Sequence, residues 1–222
     1  MINEAHMRVI KNVFYCVTHS YVVLGSMAAA LFTAVFFLGF EHRGTQAQGL
    51  LQDPRSAAWC ALAITAAVIV YDEENRIQTA AVSRGNGRAA YYLSRVLACY
   101  LLTACVYTLS VCGAAIWLKS PFTKDFLSEL MKTLPFCFAT TALVLLLSTA
   151  LHSMMSFITM AVLFVFALWN GLGANVEWFS SVFPPYMQMD GSRTALKYVV
   201  CATWVLGTLP ILLIISHYKK IS

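Results

Sequence analysis

Hydrophobic positions along this chain fall into long runs separated by shorter polar stretches, not into alternating or short-period patterns. Residues 21–40 form the first run, with few and small polar side chains and Tyr21 at its edge, where an aromatic belt belongs. A polar loop, 41–55, follows with Gly44, Gly49 and Pro54 as breakers. The second run, 56–71, is rich in Ala and suits close helix contact. The third, 89–118, exceeds the ~20 residues that cross a bilayer, so it is expected to tilt or protrude. A loop is expected over 119–132, with Pro121, Asp125 and Glu129. Runs four and five cover 133–150 and 154–172, joined by a tight turn at His152. The sixth, 196–216, contains Pro210, which predicts a kink.

Two further stretches are apolar without being spans. In 1–20, Val9, Ile10, Val13, Phe14 and Val17 share one helical face, which predicts an interfacial helix; no signal-peptide core or cleavage site precedes the first run. Between runs five and six, residues 173–193 hold Trp178, Phe179, Phe183, Pro184, Pro185 and Tyr186. That segment is too apolar for a free loop and too interrupted to cross, so it reads as re-entrant. The expected fold is all-α: one polytopic membrane domain over 1–222, with six transmembrane helices, an N-terminal interfacial helix, and a re-entrant extracellular region before the last helix.

Composition agrees. The chain is 59% hydrophobic and 11% charged, against about 25% charged in ordinary soluble domains. Its net charge of +5 comes from scattered residues, which argues against nucleic-acid binding. Seven cysteines lie in or beside apolar runs without a Cys-x-x-Cys pair, and read as buried small hydrophobes. With six spans, Lys and Arg divide eight to seven between the two sides, so the positive-inside rule does not decide orientation. The Arg cluster after run two and the Lys219-Lys220 end favour termini inside.

The polar stretch 71–95 stands apart from the loops. Three acids (Asp72, Glu73, Glu74) lead it, as suits the positive end of a helix dipole. Ile77, Ala80 and Ala81 then make a small apolar face, and Gly85-Asn86-Gly87 a turn. Arg76, Arg84, Arg88 and Arg95 are spread through it. A solvated loop and a short helix offered to another protein both fit this pattern. No phosphate-binding Gly-x-x-x-x-Gly-Lys-Ser/Thr and no His-Glu-x-x-His occurs, and the five histidines are far apart. Neither ATP nor a metal is therefore expected on this chain. Glu73-Glu74 raises an intramembrane protease of the CAAX type, whose motif is Glu-Glu-x-x-x-Arg. Here Gln78 holds the Arg position, and Arg76 falls two residues early, about 200° round a helix. No ionisable residue is expected near the middle of any span, which gives ion-driven transport little support.

Glu73/Glu74, Arg76, Thr79, Val82-Ser83-Arg84 and Arg95 together resemble the ABC-2 type (type V) exporter permeases. In that family an acidic residue closes the second helix, a coupling helix follows, and a Thr and a Ser-Arg pair lead into the third. The resemblance extends to the interfacial helix, the six spans and the Pro-containing segment before the last. Arg95 stands where many members carry Lys, and no Gly precedes Thr79.

The resemblance implies that 72–88 is a cytoplasmic coupling region. Glu73, Glu74, Arg76, Ile77, Thr79, Ala80, Ala81, Ser83 and Arg84 would meet a separate ATPase subunit, with ATP and Mg on that partner and no catalysis here. It implies a permease dimer, of two copies or with a paralogous chain, in a bacterial cytoplasmic membrane with both termini cytoplasmic. Small permeases of this kind resemble exporters of hydrophobic or amphipathic peptides such as lantibiotics and phenol-soluble modulins. Phe32, Phe36 and Phe37 in run one and Met154, Met155 and Met160 in run five are candidates for an apolar pathway, or for lipid-facing positions. A non-transporting immunity or regulatory membrane protein is the other reading.

Overall fold

The structure, a computed structural model, describes residues 4–41, 54–75, 88–119, 124–150 and 194–218. Every element among them is an α-helix: α1 Glu4–Thr18, α2 Tyr21–Glu41, α3 Pro54–Glu74, α4 Arg88–Trp117, α5 Lys124–Ala150 and α6 Thr194–Tyr218. Tyr21–Phe40, Ala89–Trp117, Phe126–Thr149 and Ala195–Ile215 are long and apolar enough to cross a membrane; Ser56–Asp72 is a shorter apolar run. With 21 residues, α3 is nonetheless roughly 30 Å long, about the hydrocarbon thickness. Runs one, two, three, four and six are thus helices. The expected span 154–172, the turn at His152 and the 173–193 segment lie outside the described residues.

Helix boundaries follow from local chemistry. Ser20 caps α2: its Oγ accepts from the Val23 amide at 3.5 Å, and its carbonyl accepts from Leu24 at 2.9 Å. Proline opens α3, where its missing N–H costs nothing. At the end of α4 the Lys119 amide returns to the Ile116 carbonyl, and Lys119 itself takes φ 54°, the left-handed cap usually given to Gly. A Lys119→Gly variant is therefore expected to gain about 1 kcal/mol in thermal unfolding in mild detergent. No gain would show that the Lys side chain makes compensating contacts there.

One boundary corrects the sequence reading. The expected loop over 119–132 is helical from Lys124 onward, because Phe126, Leu130 and Thr133 fall at i, i+4 and i+7 and are buried. Pro135 sits within this helix. It has no N–H for the Met131 carbonyl, and the next carbonyl, Lys132, accepts from Tyr198 Oη of α6 at 3.2 Å.

Helix α4 is the hub and packs against each of the other five. Its buried side chains run from Tyr91 through Ser94, Cys99, Thr103 and Tyr107 to Ala114. Most of the surrounding core is Ala, Cys, Ser, Thr and Val, small residues that let helices approach without a driving force from water. At the α2–α4 contact, a Cβ on Gly113 would lie 3.0 Å from Val35, and one on Gly39 3.2 Å from the Trp117 ring. These contacts put the C-terminal ends of α2 and α4 together. Trp59 Nε1 donates to Thr33 Oγ1 at 2.8 Å, setting the start of α3 beside the second half of α2. The opposite end of the bundle therefore carries the starts of α2 and α4 and the end of α3.

Helix α1 occupies most of the expected interfacial stretch and docks on α4, with Val17 buried and Phe14 half-buried. Cys60, Cys99, Cys137 and Cys201 are buried as expected, whereas Cys16 and Cys105 are exposed. All seven are free thiols.

Candidate functional site

Asp72 lies in the last turn of α3, facing the first two turns of α4. Its position follows from helical spacing: Ala61, Ile64, Thr65, Val68 and Asp72 recur at i, i+3, i+4, i+7 and i+11, and all are buried. Continuing the apolar face one turn further carries the carboxylate into the bundle. Asp72 Oδ2 is 3.3 Å from Arg95 Nη1, and both side chains are more than nine-tenths buried. Tyr91, one turn before Arg95 on the same face, donates its hydroxyl to the same carboxylate oxygen, and Arg95 Nη1 donates to Tyr91 Oη at 3.5 Å. Ser94 Oγ returns to the Tyr91 carbonyl at 2.7 Å, and Tyr92 packs edge-on to the Tyr91 ring at 5.1 Å.

Asp72, Glu73 and Glu74 end α3, as the resemblance implies for an acidic residue there, so they stand at the negative pole of its dipole, where a carboxylate is disfavoured, and not at the positive pole of a helix start; Arg95 and Tyr91 compensate Asp72. The short helix expected after them lies outside the described residues. The buried charges among the described residues, Asp72, Arg95 and Lys197, lie near helix ends and not at mid-span. Arg95 sits seven residues, roughly 10 Å, inside α4 instead of at its mouth, and Lys197 near the start of α6 is buried as well. Below the cluster the α3–α4 seam continues in polar atoms. Cys99 is buried one turn beyond Arg95 and lies beside Thr65, and the Thr103 hydroxyl and Arg95 Nε are buried with no hydrogen-bond partner among the described residues.

Chemically this is a clamp. A charge pair and a phenol in a dry setting hold two helices in register, because separating them would leave a buried charge unpaired. No group of three or more potential metal ligands occurs among the described residues. A Tyr91→Phe variant removes one hydrogen bond to a charged acceptor and is expected to lose about 1.5–3 kcal/mol in reversible unfolding. A loss below half of the lower figure would show that Arg95 alone neutralises Asp72.

Of the sequence-predicted residues, Arg76, Ile77, Thr79, Ala80, Ala81, Ser83 and Arg84 lie outside the described residues, as does Met155. Glu73 and Glu74 close α3. Phe32 and Phe36 lie on the outward face of α2, 71% and 53% exposed, and Phe36 meets the Trp117 ring edge-on at 6.1 Å. Neither lines the apolar cavity of about 480 Å³ between α2, α3 and α5, whose walls include Ala29, Thr33, Trp59, Ala66 and Ser148. The clamp and the cavity both escaped sequence reading. The i, i+4 pair Tyr91/Arg95 on a buried face was the available signal for the clamp.

Compared with protein-family models, curated proteins and solved structures, the chain matches none.

Proposed function

We propose that this chain is the membrane-spanning permease subunit of an exporter whose ATP hydrolysis resides on a separate partner chain. It acts as a dimer and moves hydrophobic or amphipathic peptides, of toxin or bacteriocin kind, outward across a bacterial cytoplasmic membrane. Both termini and the 72–88 stretch face the cytoplasm, where 76–84 meets the ATPase. The chain itself carries no catalytic group and no cofactor.

The observation that supports this reading is the clamp at the root of 76–87. The two helices that flank this segment are pinned to each other by Asp72, Arg95 and Tyr91, and one of them, α4, touches every other described helix. A push delivered to 76–87 by closing ATPase subunits is therefore shared across the bundle instead of being absorbed in one helix. Rigid-body movement of packed helices is the usual form of such switching.

The test is purification of the tagged chain from its native membrane in mild detergent, with mass spectrometry of the proteins that accompany it. A stoichiometric ATP-binding protein is expected, lost with Arg84→Glu, while Ala80→Pro leaves the chain in the membrane and abolishes export. A chain that emerges alone, or with a protein that binds no nucleotide, would overturn the assignment.

A further inference from the structure

We infer that the outward face of α1 is a binding surface for anionic phospholipid headgroups. Arg8, Lys11, Tyr15 and His19 follow one another at i, i+3, i+7 and i+11, and all four are exposed. The opposite face is spent on the bundle: Val17 is buried and Phe14 half-buried against the core to which α4 contributes. What faces outward is thus a stripe of two cations and two aromatic rings, while the sequence of α1 holds one carboxylate, Glu4 at its first residue. Tyr15 and His19 stack at 4.0 Å, and His19 Nδ1 lies 3.0 Å from the Tyr15 carbonyl, so the pair is held in place as a flat shelf.

Depth identifies the partner. Only His19 and Ser20 separate α1 from α2, whose first residue, Tyr21, is 92% exposed and marks the start of a membrane-crossing run. The stripe therefore lies at the boundary of the bilayer, the depth of phosphate groups and of aromatic belts. Lys and Arg beside an anionic surface each contribute about fivefold in affinity. Tyr and His supply the amphipathic rings that settle at that level. An acidic protein offers the charge complement but not the fixed depth.

Native mass spectrometry of the full chain in mild detergent, with equimolar phosphatidylglycerol and phosphatidylcholine, tests this. Phosphatidylglycerol adducts are expected to predominate, to survive the charge-conserving double variant Arg8→Lys/Lys11→Arg, and to fall by about tenfold or more in Arg8→Gln/Lys11→Gln. Equal retention of the two lipids, or a preference that the Gln variant keeps, overturns the inference. So does an acidic protein that is captured through Arg8 and Lys11 while the lipids are not distinguished.

Discussion

An Arg95→Met variant is expected to lose about 3–5 kcal/mol of stability, the cost of stranding one member of a buried ion pair. Asp72 is 6% exposed and its carboxylate receives both the guanidinium and the Tyr91 hydroxyl. Removing the cation takes away the guanidinium that lies 3.3 Å from a carboxylate, which stands at the negative end of α3 in a site only 6% exposed. Asp72→Leu should cost a comparable amount, because Arg95 is then the stranded charge. The double variant Asp72→Leu/Arg95→Met should recover most of the loss, since an apolar pair of similar volume incurs no desolvation penalty. Reversible unfolding in mixed detergent micelles gives all four corners of the cycle. If the double variant is no better than either single one, the pair is not what holds the two helices.

Gly113→Leu should be damaging for the opposite reason. A Cβ there already meets Val35 at 3.0 Å, and a branched chain beyond it must drive α2 away from α4. Overpacking of this kind costs about 1–3 kcal/mol. The cost falls on the hub, so it should appear as early unfolding of the whole bundle and not as local fraying. Val35→Ala in the same chain opens space for the new side chain and should restore part of the stability. A Gly113→Leu chain that unfolds like the parent would mean that the two helices are not in tight contact there.

Long apolar runs disclosed the helices because lipid and a packed interior both demand continuous hydrophobicity, so runs one, two, three, four and six were legible in the residues alone. The start of α5 was not. Lys124, Asp125, Glu129 and Lys132 read as loop, yet the buried positions Phe126, Leu130 and Thr133 carry the helix outward on one face. The clamp was hidden for a related reason. Asp72 stands first in an acidic triplet with Glu73 and Glu74, but helical spacing turns it about 100° away from Glu73 and onto the buried face. Arg95 closes the polar stretch that also holds Arg76, Arg84 and Arg88, where a sequence gives no measure of depth. Which charges of one cluster go inward is decided by the neighbouring helix, and that pairing is a tertiary fact.

The free thiols supply a ruler that needs no engineering. Cys16 is exposed on α1, close to the start of the first run long and apolar enough to cross a membrane, whereas Cys105 is exposed in the middle of α4 beside the exposed Leu101 and Leu109. Maleimides alkylate the thiolate, which forms in water and not in hydrocarbon. A charged maleimide that does not cross bilayers is therefore expected to modify Cys16 and not Cys105, and an uncharged, membrane-permeant one to modify Cys16 from either side. Applied to intact cells and then to inverted vesicles, the pair of reagents dates each modification by side. The native chain then reports which face of the membrane its N-terminal helix occupies, the orientation that eight basic residues against seven leave undecided.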